Sequence, residues 1–124
     1  MEQLLLHLVG DYITQTDWMA TEKTKRNTAA GVHALVYGLP FFLLTSSWLA
    51  VSIIISTHYL IDRYRLARFV VFAKNWATNR SLCWADCSAT GYPGATPPWL
   101  AVWLLIIADN TIHLCINYGA LRWL

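Results

Sequence analysis

Charge is what this chain has least of. Only 13% of its 124 residues are Asp, Glu, Lys or Arg, about half the share of an ordinary soluble domain. Apolar residues make up 56%. That balance reads as one small membrane domain, residues 1–124; a very apolar soluble helical domain is the alternative. A cleavable secretion signal is also missing. Glu2 stands where a basic residue belongs, and no small-x-small site follows. Nothing marks lipidation. The apolar runs lack strand alternation, which leaves helices as the way across lipid. Cysteine is scarce: Cys83, Cys87 and Cys115 do not make a disulfide framework. The C-x3-C spacing of the first two has no His nearby and reads as structural, and Cys115 reads as a small packing residue.

Four apolar segments are present, over about residues 2–20, 29–46, 48–62 and 99–121. A helix needs ~20 residues to cross the hydrocarbon. The expected fold is all-α, with four transmembrane helices that resemble a duplicated helical hairpin. The third is short and can continue past Asp62. Eight of the nine basic residues fall in two connections: Lys23, Lys25 and Arg26 in the first, and Arg63, Arg65, Arg68, Lys74 and Arg80 in the stretch 63–98. The positive-inside rule makes both cytoplasmic and places the N- and C-termini in the periplasm. Residues 63–77 mix those charges with Phe69, Val70, Phe72 and Trp76. They read as a short interfacial helix on anionic lipid headgroups, with no nucleic acid as partner. A thin four-helix bundle also invites homo-oligomerisation.

Against this apolar background the ionisable residues are patterned. All four His, at 7, 33, 58 and 113, lie in apolar segments, and three have an Asp one helical turn away: His7–Asp11, His58–Asp62 and Asp109–His113. Chance gives a given His such a neighbour roughly one time in twelve. Residues four apart share a helix face. Gln15 extends the first stripe, Asn117 the last, and Tyr37 shares a face with His33. Polar side chains avoid lipid, so all these stripes should face one interior. Imidazole with carboxylate suits Zn, Mn or Fe. The candidate metal ligands are His7, Asp11, His33, His58, Asp62, Asp109 and His113. Asp11, Asp62 and Asp109 are the candidates for a catalytic base beside a metal-activated water. The ion pairs should form across helices, because one turn does not bring an Asp onto its own His ring. The plainer alternative is that the polar pairs only hold helices together.

The run H-L-V-G-D-Y-I-T-Q-T-D-W-M-A, followed by H-A-L-V-Y, H-Y-L-I-D-R and D-N-T-I-H, resembles a domain-of-unknown-function family of small multi-pass membrane proteins from bacteria and their phages. The resemblance covers nearly the whole chain and implies a bacterial inner-membrane location. More loosely, the H-x3-D elements are similar to those of inner-membrane metal-dependent hydrolases. Those carry an H-R-x2-T-H element, of which only Thr57 and His58 remain here. The resulting expectation is an intramembrane, metal-binding His/Asp site with hydrolase activity. The alternatives are a phage-encoded membrane interference protein without catalysis, and a small proton-coupled transporter or channel-like oligomer.

Overall fold

A computed structural model describes all residues, 1–124, and every regular element in it is helical. Helix α1 spans Glu2–Leu8 and runs directly into a π-helical turn, Val9–Ile13; α2 is Asp17–Glu22. Helix α3 is Asn27–Gly38, tightened at its end into a 3-10 turn over Leu39–Leu43. Helix α4 is Trp48–Tyr64, α5 Ala67–Thr78, α6 Trp84–Cys87 and α7 Pro98–Trp123. The chain divides into two compact units, one of residues 1–64 with 113–124 and one of residues 65–112.

Local chemistry sets these boundaries. Thr16 takes extended backbone angles and its side chain accepts the Met19 N–H at 3.3 Å, an N-cap that starts α2 afresh. The first apolar segment is therefore broken at residues 14–16 rather than running on to residue 20. Pro40 lies in the first turn of the 3-10 segment after α3 and could not continue an α-helix. The Ser47 hydroxyl accepts the Ala50 N–H at 3.2 Å and caps α4. Pro98 opens α7, where its missing N–H costs nothing.

These breaks overturn the four-helix membrane topology. α1, α3 and α4 have 7, 12 and 17 residues; even the longest spans only ~26 Å at 1.5 Å per residue, short of the ~20 residues a crossing needs. Only α7, with 26 residues and a mean hydropathy of 1.7, is long and apolar enough to cross a membrane. Placing both termini on one side requires an even number of crossings, so the inference of two periplasmic termini loses its basis. Within residues 63–98 α4 continues to Tyr64 and α5 and α6 follow, with α5 on the stretch 63–77 that was expected to hold a short helix.

In the first unit α3 packs on α4 over a core of Tyr37, Phe41, Ala50, Val51 and Ile54, with Ala120 of α7. Gly38 lets the helices approach: a Cβ there would lie 2.1 Å from Ile55 Cγ1. In the second unit basic side chains bind backbone. Arg65 donates to the Ala89 carbonyl and Arg68 to the Ser88 carbonyl, each at 2.9 Å. Phe69 stacks on Trp84, with ring centroids 4.7 Å apart.

Candidate metal centre

Four elements of the first unit deliver the polar stripes to one interior. α3 supplies His33 and Tyr37, α4 supplies His58 and Asp62, and the C-terminal part of α7 supplies His113 and Asn117. The first segment supplies His7 from α1 and Asp11 from the π-turn. A π-turn closes its hydrogen bonds over five residues where an α-helix closes them over four, and such turns are frequent at functional sites. Its i+5 bond runs from the Thr14 N–H to the Val9 carbonyl at 2.9 Å. Gly10 lets this turn lie on α3, because a Cβ would come within 2.6 Å of the Tyr37 ring. All four imidazoles are buried, as are both carboxylates.

Four donor atoms converge. Asp11 Oδ1, His33 Nε2, His58 Nε2 and Asp62 Oδ2 belong to a group whose ligand atoms all lie within 4.8 Å of one another. The two Nε2 atoms are 3.0 Å apart. His33 Nε2 lies 3.2 Å from Asp11 Oδ1 and 3.1 Å from Asp62 Oδ2, and His58 Nε2 lies 3.3 Å from each. Five of the six edges of this tetrahedron thus fall between 3.0 and 3.3 Å. A tetrahedral zinc site with arms of about 2.0 Å has edges of about 3.3 Å. Asp11 Oδ1 is buried and, despite its two nitrogen neighbours, makes no well-directed hydrogen bond.

The atoms behind these donors fit one set of proton positions. His113 Nε2 lies 3.3 Å from Asp62 Oδ1, and His113 Nδ1 lies 3.2 Å from His58 Nδ1. If His113 donates from Nε2 to Asp62, its Nδ1 accepts from His58 Nδ1. His58 Nε2 then presents a lone pair to the cluster. The ring closes through Asp62, whose second oxygen is a donor atom of the same cluster. Metal-ligating histidines commonly have their other N–H held in this way. His33 departs from the pattern, because its Nδ1 is buried without a partner. The Tyr37 ring stacks on His58, with centroids 3.6 Å apart at 11°. Its hydroxyl accepts from Asn117 Nδ2 at 2.6 Å and lies 2.8 Å from His7 Nδ1.

Lys23 adds a cation. Its Nζ donates to Asp62 Oδ2 at 2.8 Å and lies 3.2 Å from His33 Nε2. Burial alone would raise both carboxyl groups. For Asp11 the adjacent imidazoles of His33 and His58 outweigh burial and hold it below the ordinary carboxylate range. For Asp62 the imidazoles of His113, His33 and His58 do so, and hold it well below that range. Burial would lower His33, but Asp11 and Asp62 beside it raise it above its ordinary value.

Of the seven candidate ligands, four meet: Asp11, His33, His58 and Asp62. His113 stands one step behind them. His7 lies on Tyr37, with its Nδ1 3.6 Å from Asp11 Oδ2. Asp109 belongs to the second unit, half-buried one turn before His113 on α7. Gln15 falls at the break between α1 and α2, with a buried Oε1 that has no partner. In the sequence Lys23 stands out only as a topology charge. Its place in a basic run gave no sign of the contact with Asp62, 39 positions away.

Residues 1–86 match the family described as "Protein of unknown function (DUF3307)", and the chain belongs to that family. The matched span holds all four converging donors and Lys23, but not His113 or Asn117. No curated protein sequence and no solved structure matches the chain.

Proposed function

We propose that this DUF3307 member binds one divalent transition metal ion, zinc by preference, through Asp11 Oδ1, His33 Nε2, His58 Nε2 and Asp62 Oδ2. The observation that carries the reading is the set of five donor-to-donor distances between 3.0 and 3.3 Å. Two nitrogens and two oxygens at tetrahedral corners suit zinc better than the larger oxygen cages of calcium, magnesium or manganese. Asp11 Oδ1 supports the same reading, since it is buried beside two imidazole nitrogens without a well-directed hydrogen bond to either.

Hydrolysis is the second reading, favoured by the accessibility of one side of the cluster. There the Lys23 side chain is 20% exposed and that of Asp11 10%. A bound ion would supply Lewis acidity. Four protein ligands leave no corner for water, so in this reading Asp11 would leave the ion, give its corner to water and accept the proton, with Lys23 as a cation for an anionic substrate. Membrane association through α7 belongs to the same proposal. Its apolar window is only 11% buried, unlike the core helix of a soluble fold.

Elemental analysis of the purified protein tests the metal site. About one zinc per chain is expected, lost in a His33→Ala, His58→Ala variant that keeps its helical circular dichroism. A wild-type protein that takes up no zinc, even when supplemented, sinks the reading.

A further inference from the structure

His33 Nε2 has one lone pair in the plane of its ring. Lys23 Nζ lies 3.2 Å from it and 2.8 Å from Asp62 Oδ2. These are two of the four atoms that would hold the metal. A carboxylate oxygen has lone pairs for two partners, but a neutral imidazole nitrogen does not. With the ring neutral a lysine N–H and a metal ion therefore cannot both use His33 Nε2, and with the ring protonated neither can, which leaves Asp62 Oδ2 to hold the ammonium. Charge points the same way. Two carboxylates balance one divalent ion, whereas an ammonium added to that set leaves an excess positive charge in a buried cluster. Lys23 follows the last residue of α2 and its side chain is partly exposed. A flexible four-carbon stem can carry the head group out to water from there.

We propose that Lys23 is a built-in competitor for the metal: its ammonium fills the cation role at His33 and Asp62 in the metal-free chain, and the arriving divalent ion displaces it to the surface. The proposal rests on the metal-binding reading and deepens it. The cluster is an exchange site, in which one internal cation keeps the carboxylates satisfied until an external one replaces it. Affinity for the metal is thereby set below what the four donors alone would give, and the ion remains releasable.

Zinc titration of the full-length wild-type chain and of Lys23→Met tests this. Removing the competitor should tighten zinc binding about ten- to hundredfold, the strength of a charge-assisted hydrogen bond. A second readout uses only the wild type. Acylation of lysines by a short amine-reactive ester, followed by mass spectrometry, should modify Lys23 slowly without metal and faster with zinc. Equal or weaker zinc binding by Lys23→Met overturns the exchange. If that variant does not fold without metal, a Lys23 acylation rate unchanged by zinc overturns it instead. A wild-type chain that binds no zinc is a different failure, because it removes the metal site itself.

Discussion

Both units of this chain place charged side chains among apolar and aromatic residues, and they use them in opposite ways. In the second unit each cation has a neutral acceptor or a ring. Arg65 and Arg68 bind the carbonyls of Ala89 and Ser88, Lys74 binds the Tyr92 hydroxyl at 3.0 Å, and Arg80 lies 3.8 Å over the Trp76 ring. These contacts tie down a segment with little regular structure and need nothing further. In the first unit imidazoles and carboxylates turn their lone pairs toward one another. The charge there is matched only in part, by Lys23. Basic residues that looked alike as orientation signals thus separate: those of the second unit, like Arg63 of the first on the Thr24 carbonyl and Asn27 Oδ1, bracket the chain, whereas Lys23 is a component of a site.

Removing the keystone of the first unit should have the largest effect. Asp62→Ala takes the partner from Lys23, His33 and His113 together. The expected loss is about 3–5 kcal/mol of metal-free stability, the usual cost of breaking a buried charged network, with zinc binding abolished. Urea unfolding and zinc titration would measure both. A stability unchanged within about 0.5 kcal/mol would show that the network contributes little.

The pH dependence of the metal-free protein comes next. Asp11 and Asp62 are depressed in the fold. Their stabilisation is present above the unfolded carboxyl value of about 3.9 and is lost as pH falls through the lower folded values. His33 is raised, so its contribution is present below about 6.5 and is lost as pH rises through its higher folded value. Urea midpoints should therefore be highest between about pH 4 and 6.5 and fall on both sides. Zinc, which requires neutral imidazole, should remove the alkaline decline. A metal-free midpoint that keeps rising to pH 8.5 would contradict the raised His33.

The smallest effect belongs to the second unit. Arg68→Ala removes one hydrogen bond to a carbonyl and a cation 5.0 Å from the Phe69 ring. About 1 kcal/mol of stability should go, and zinc affinity should not move. A change in zinc binding would mean that the two uses of charge are coupled.

The four-residue spacings His7–Asp11 and His58–Asp62 were legible because helix periodicity writes them directly into the sequence. Their partners were not, since packing decides those. One turn does bring His58 to 3.3 Å from Asp62 and His7 to 3.6 Å from Asp11, against the expectation of pairs formed only across helices, and across helices Asp11 is approached by His33 and His58, and Asp62 by His113, His33 and Lys23. The apolar runs misled for a related reason. Hydropathy sums across a run without registering the Thr16 cap, the π-turn at Val9–Ile13 or the tightening at Pro40. A stretch apolar enough for lipid proved to be several short helices that turn their polar residues toward one another. α4 and α7 lack such interruptions, and of the two only α7 is long and apolar enough to cross a membrane.

The closed ring of Asp62, His113 and His58 has a consequence for how the protein is made. Asp62 is the last of the four donors to be synthesised, whereas the imidazole that orients His58 arrives 51 residues after it. A growing chain leaves the ribosome at about 5–20 residues per second. The nascent protein therefore passes through an interval of several seconds in which every ligand is present and the brace is not. An ion met during that interval would find His58 stacked on Tyr37 but without its Nδ1 partner, and would be held less firmly than in the finished chain.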